Sequence, residues 1–428
     1  MLKYISLRAL VNQMILDENE LDDLFNKLLY IKCQNVPSIY PQIKMPPFGN
    51  YLINTVEDYS PTIPNEVYCP VCKKSYPLTQ KYFTYRERRV FDIKNTDYVE
   101  CKTCRSRSLS NGYKTKVRRI SLDPAFGLKL TAEELASALQ DMANGYSLNK
   151  IAETLTEGRK REPVYKNAHA KLEGELICKK TIRDGFYRIA PIIGQYIVDR
   201  CKPRIVDEIL VFDITHFTHR EPVLDDDNIV DYKLINRSVA TITGKYSTAI
   251  YGYGVAISKI TASRKCIEMA NKYVPGMLSQ CLIKYDGDKD IRKALVEAGG
   301  PEKNLISIPK KEYKGGINEI EGFFSKPKGR LKKHRFRKLP SIYAGMTAFF
   351  ASWNLFERHT LFDGKWRGTI AELLQIKRPP SSWLELVNIS WRYMLTDKTL
   401  YEAYYPKTSR GVNKIKHRTL RHAKSTKK

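Results

Sequence analysis

Long apolar runs are missing from this sequence. No stretch reaches the roughly 18–20 residues needed to cross a bilayer, and the opening MLKYISLRALVNQMILDENELDD turns acidic too soon for a secretory signal. A basic amphipathic helix with an aromatic face, the mark of a membrane-surface binder, is missing too. Acidic charge is scarce: 46 Asp and Glu stand against 73 Lys and Arg, giving a formal net charge of +27. These absences point away from membranes and towards a cytoplasmic protein with a polyanionic partner. Disorder is excluded as well, because 42% of the 428 residues are hydrophobic and only 28% charged, a balance that permits two or three packed domains.

Cysteine is sparse, nine in all, yet four fall into two C-x2-C knuckles, Cys69/Cys72 and Cys101/Cys104. Paired knuckles supply four thiolates to one tetrahedral Zn²⁺, the zinc-ribbon arrangement. Disulfides fit a cytoplasmic chain poorly. The 28 residues between the knuckles exceed the usual spacing. Cys33, Cys178, Cys201, Cys266 and Cys281 read as ordinary buried cysteines.

The chain divides by pattern. Residues 1–62 carry apolar positions at helical spacing (Leu21, Leu24, Phe25, Leu28) and no readable role. Residues 63–119 hold the zinc ribbon and a basic, Ser-rich linker from Arg105 to Arg119 suited to tracking phosphates. In residues 120–200 a capping box opens at Thr131 and predicts a helix through about Met142; a second starts at Ser147 with Leu148, Ile151, Ala152 and Leu155 inward. The segment Gly145-x-Ser147-x-x-x-Ile151-Ala152 resembles the first half of the helix-turn-helix of transposases. Lys179, Lys180 and Thr181 then open a short helix to about Ala190, before Pro191, as the candidate recognition element, with Arg159–Arg161 and Lys166–Lys171 as further DNA-lining candidates. A three-helix packing unit without DNA contact is the structural alternative. Residues 361–406 read as a helical extension and 407–428 as a basic tail for nonspecific phosphate binding.

Residues 201–360 read as strands and helices in α/β order. Glu208–Thr218 (EILVFDITHFT) is a nearly continuous apolar strand with Asp213 inside it, where a carboxylate is costly unless paired or metal-bound. Two more strands, Ser238–Ile242 and Thr248–Ser258, flank the turn signal Gly244-Lys245, and a helix over Thr261–Val274 leads to a strand, CLIKYD, whose tip is Asp286 followed by Gly287. A helix from Asp288 to Ala298, a strand Leu305–Pro309 and a helix bearing Ile317, Ile320, Glu321 and Phe324 complete the set.

That order, with DITHF around the first Asp, Asp286-Gly287 at a strand end and Asn318-x-x-Glu321 opening the last helix, resembles the catalytic domain of DDE transposases of prokaryotic insertion sequences. Lys328 fills the place where that family carries a basic residue seven positions after the Glu. Further on, Ala351–His359 and Gly368–Leu374 are loosely similar to the Asn-, Arg- and His-bearing helix and the Thr-Pro-Ala segment, with Asn354, Arg358 and His359 as counterparts. Ile370 stands where the family has Pro, and Pro327 interrupts the Glu321 helix.

The resemblance implies an RNase H-like mixed sheet flanked by helices, preceded by the zinc ribbon and the helix-turn-helix region. It implies Asp213, Asp286 and Glu321 as catalytic ligands of Mg²⁺ or Mn²⁺, with Lys328 and Arg330 joining Lys179, Lys180 and Thr181 as DNA contacts and His216 as a helper. The partners it implies are double-stranded DNA, both element ends and target, and a second copy of the chain to pair two ends, in a prokaryotic nucleoid setting. Each acid taken alone is more often a capping or surface residue, and Asp288, Asp290 and Glu319 lie close by. An inactive DNA-binding derivative and a metal-dependent nuclease of the same fold are the alternatives.

Overall fold

A computed structural model describes residues 65–90, 94–110, 119–161, 177–204, 206–225, 228–308, 329–330, 338–361, 364 and 366–406, all within one compact unit, Phe48–Lys428. Among these residues no helix is long and apolar enough to cross a membrane.

Strand β1 (Glu66–Cys69) pairs antiparallel with β2 (Lys74–Pro77). The turn between them is closed by Lys73 N–H donating to Cys69 O at 2.8 Å. Strands β3 (Phe83–Val90) and β4 (Lys94–Cys101) form a hairpin, β5 (Arg119–Ser121) lies on the other side of β4, and helix α1 (Lys102–Ser110) carries Cys104. The long spacing between the knuckles is thus one extra hairpin. The first six residues of the stretch expected as a linker, Arg105–Ser110, belong to α1, and residues 111–118 lie outside the described residues.

Helix α2 (Ala132–Ala143) starts at Thr131 with the full capping box to Glu134, and α3 (Leu148–Arg161) buries Ile151, Ala152 and Leu155. Helix α4 (Lys179–Arg200) does not stop at Pro191. A proline inside a helix forfeits one backbone bond, but Ile189, Ala190, Ile192, Ile193, Tyr196 and Ile197 around it are all buried, and their packing outweighs that loss. The expected recognition helix is therefore a core helix, exposed mainly over its first turn.

The central sheet has five strands in the order β10-β9-β6-β7-β8. They are β6 (Ile209–Asp225), β7 (Asn228–Gly244), β8 (Ile250–Ala256), β9 (Leu282–Tyr285) and β10 (Leu305–Ser307). β7 runs antiparallel to β6 and β8, while β9 is parallel to β6 and to β10. β6 and β7 stay paired with each other through Asp225↔Asn228, far past the end of β8, with a register shift at Val223/Leu224. Helices α5 (Lys259–Tyr273) and α6 (Lys289–Glu297) follow β8 and β9. Gly254 lets α5 lie close to β8, since a Cβ there would sit 2.0 Å from Ala262 O. At the base of β6 the fully buried Asp207 accepts hydrogen bonds from Tyr246 N–H, Ser247 N–H, Ser247 Oγ and the Tyr251 hydroxyl, four donors that offset its desolvation.

Helix α7 (Leu339–Ala351) runs into a π-helical turn, Ser352–Phe356. That turn aims the buried Asn354 at the edge of β8, where its amide bonds Ile250 N at 3.0 Å and Ile250 O at 2.8 Å. The helix expected over Ala351–His359 ends there, and Arg358–Leu361 is strand β11, paired with β12 (Trp366–Thr369). Helices α8 (Trp383–Thr396) and α9 (Lys398–Tyr404) pack back onto the cysteine module. Trp391 Nε1 donates to Ser121 O (3.0 Å), Ser121 N–H donates to the Tyr405 hydroxyl (2.8 Å), the Tyr68 hydroxyl donates to Glu402 (3.2 Å), and Tyr68 meets Tyr401 edge-on at 5.5 Å.

Candidate functional site

Two chemically distinct places stand out. In the first, β1 and its turn deliver Cys69 and Cys72, while the end of β4 and the start of α1 deliver Cys101 and Cys104. Their sulfurs all lie within 4.8 Å of one another, with Cys72–Cys104 at 3.0 Å, Cys69–Cys104 at 3.5 Å and Cys72–Cys101 at 3.8 Å. A tetrahedral site with metal–sulfur bonds of about 2.3 Å sets the sulfurs about 3.8 Å apart. The four cysteines are thus close enough to bind a zinc ion.

Their ionisation is unequal. The hydrogen bond from Cys69 holds Cys101 down at about 5, whereas that same bond together with burial pushes Cys69 up. Burial and the neighbouring Cys72 sulfur push Cys104 up to about 12. Full ionisation of the cluster is resisted by its own burial and charge, and a divalent cation is the group that would offset both.

The second place is in the middle of the central sheet, where β9 ends beside β6. Register pairs Phe212 of β6 with Tyr285 of β9, so the next residues, Asp213 and Asp286, stand beside each other on parallel neighbours spaced about 4.8 Å. Both are half-buried. Asp213 Oδ1 accepts from Ile214 N–H at 2.7 Å, and Asp286 Oδ1 accepts from Asp288 N–H at 3.0 Å across Gly287, whose φ of 77° suits glycine. Asp288 caps α6 through Asp290 N–H (2.8 Å) and pairs with Lys259 Nζ (2.7 Å). That bond, helped by Asp286 and Asp290, holds the Lys259 ammonium above its ordinary range. Burial tends to raise the Asp288 carboxyl, but Lys259 and the Asp290 amide bring it below its ordinary range. On the same stretch of β6, His216 Nδ1 lies 3.3 Å from Ser238 Oγ.

Glu321, Asn318 and Lys328 lie outside the described residues. Arg330 is engaged within the fold: its guanidinium makes a bidentate pair with Glu357 (2.5 and 3.1 Å), reaches Ala143 O (3.3 Å) and covers the Phe349 ring at 5.4 Å. Lys179 and Lys180 are exposed at the start of α4, with Arg183 beside them and Thr181 half-buried. Asn354 is a clamp on β8, and His359 Nε2 is held at 2.9 Å from Trp353 O with the two rings 4.4 Å apart, so neither meets the acidic pair through these contacts. Arg358 is exposed on β11. Cys178, expected in the core, is exposed just before α4, whereas Cys201, Cys266 and Cys281 are buried as expected.

Sequence reasoning missed Lys259. A lysine opening a helix carries no local mark of a partner 29 positions away. No model of a known protein family matches the sequence, and no curated protein matches it.

Proposed function

We propose that this chain is a DDE transposase of the RNase H-like class, which binds the ends of an insertion sequence and carries out metal-dependent DNA cleavage and strand transfer. The observation that carries the reading is the parallel register of Phe212 with Tyr285, which sets Asp213 in β6 next to Asp286 just past the end of β9. Written along the sheet from β8 to β10, the strands run third, second, first, fourth, fifth in chain order. That order fits the RNase H-like class, in which the first and fourth strands bring their acids together. The net charge of +27 supports a DNA partner.

Phosphodiester transfer needs an activated oxygen nucleophile and a stabilised leaving oxygen, and a pair of bound Mg²⁺ supplies both. Asp213, Asp286 and Glu321 are the residues that would hold the ions, because carboxylate oxygens suit a hard cation. The cysteine module holds Zn²⁺ in a structural role and contributes no group to the reaction. Exposed Lys179 and Lys180 on the first turn of α4 meet DNA phosphates. Pairing two ends calls for at least a dimer.

The test is Mg²⁺-dependent cleavage and joining of DNA carrying the element ends. Asp213→Asn, Asp286→Asn and Glu321→Gln are each expected to abolish both steps while end binding survives, since the amide keeps the shape and forfeits the charge. Binding without any cleavage by the unaltered protein would indicate the inactive DNA-binding derivative. Cleavage without joining would indicate a nuclease.

A further inference from the structure

We propose that Lys259 is a positioning residue for Asp286, acting through Asp288; the proposal rests on the reading of Asp286 as a metal-holding carboxylate. Asp286 lies one residue past the end of β9, so the ladder no longer fixes it. What fixes it is the turn Asp286-Gly287-Asp288, closed by Asp288 N–H on Asp286 Oδ1. Asp288 is therefore the peg of that turn, and both of its oxygens are committed. Oδ1 caps α6 at Asp290 N–H, and Oδ2 takes Lys259 Nζ.

Lys259 is the first residue of α5, right after the Ser258 cap that follows β8. Its ammonium thus ties the start of α5 to the start of α6. Without it, Asp288 would hold a half-buried carboxylate with no cation, two residues from Asp286. Such a group is the natural rival of Asp286 for a divalent ion, and by turning towards that ion it would open the turn. Lys259 keeps Asp288 a cap and leaves the ion to Asp286.

The same two helices carry an internal control. Arg264 of α5 pairs with Glu297 of α6 at 2.8 and 3.1 Å. That pair joins the helices without touching the turn.

The experiment measures Mg²⁺ dependence of end cleavage for Lys259→Met, Lys259→Arg and Arg264→Met, together with hydrogen exchange of the Asp288 amide. Lys259→Met should raise the half-saturating Mg²⁺ concentration about 10-fold or more, the usual cost of removing a group that orients a metal ligand. Its rate at saturating Mg²⁺ should stay within about 3-fold of the unaltered protein, because the group removed acts on the metal and not on DNA. Exchange at Asp288 N–H should quicken. Lys259→Arg should restore both readouts, and Arg264→Met should alter neither.

Unchanged Mg²⁺ dependence in Lys259→Met, a matching change in Arg264→Met, or failure of Arg to rescue would each overturn the proposal. Absence of metal-dependent cleavage in the unaltered protein would instead sink the transposase reading. The exchange measurement then still decides whether Lys259 holds the turn.

Discussion

Removing metal from the cysteine module should loosen both ends of the described fold. A structural Zn²⁺ contributes about 10–16 kcal/mol at neutral pH, against about 5–15 kcal/mol for the net stability of a whole domain. The contacts that join the module to α8 and α9 include the bonds of Trp391 and Tyr405 to Ser121, of Tyr68 to Glu402, of Ser75 to Thr396 and of Arg392 to Asn65, and the Tyr68–Tyr401 ring contact. At about 0.5–1.5 kcal/mol for each, these six amount to about 3–9 kcal/mol. These contacts fall short of what a bound Zn²⁺ would contribute, so the module is expected to unfold when the metal is removed.

A strong chelator, or Cys72→Ser, should therefore unfold residues 65–121 and release Trp391 from its fully buried site. The assay is tryptophan emission, which should shift to longer wavelength, with Trp391→Phe used to subtract the other three tryptophans of the four present. Freshly purified protein should carry one Zn²⁺ per chain. Metal analysis that finds no zinc, or zinc loss that leaves the Trp391 emission unmoved, would refute the reasoning.

The logarithm of DNA affinity should fall linearly with that of salt concentration, by about 0.9 per phosphate neutralised. Deleting residues 407–428 should flatten the slope and spare end discrimination; loss of sequence preference would make the tail a specificity element. Breaking the Arg330–Glu357 pair with Glu357→Gln should cost about 1.5–3 kcal/mol in urea unfolding at neutral pH. Burial tends to raise the Glu357 carboxyl, but Arg330 brings it below the ordinary 4.5. Its contribution is therefore complete above pH 4.5 and lost as pH falls through the lower folded value. Glu357→Gln should show less acid destabilisation over that window, and equal acid sensitivity would argue against the pair.

Local chemistry was readable from the sequence where one short segment held the whole signal. The knuckle spacing brought four sulfurs together, the Thr131 capping box formed, and the Asp286-Gly287 turn sits where its glycine requires. The succession of strands along residues 208–307 was legible because each begins or lies in an apolar run beside turn signals, whereas their order across the sheet was not. Nor was strand length. β6 and β7 run on through HREPVLD and NIVDYKLIN, stretches in which charged and polar residues interrupt the apolar run and the strands are held by backbone pairing with each other. Pro191 misled because burial on every side of α4 is a tertiary fact. Arg330 and Lys259 were opaque for a related reason, since their carboxylate partners lie 27 and 29 positions away and a lone basic residue does not announce which acid it will meet.

The welding of the cysteine module to the last helices also has a consequence in time. Tyr68 and Glu402 are 334 positions apart, and a ribosome adding about 5–20 residues per second takes roughly 17–67 s to cover that distance. Throughout this interval the face that Tyr68 and Ser121 will offer to α8 and α9 waits without its partner. With Zn²⁺ bound as proposed, the metal is what would hold that face folded in the nascent chain. Zinc shortage should accordingly harm chains still being made more than those already finished, and a pulse of labelled synthesis under zinc restriction would separate the two populations.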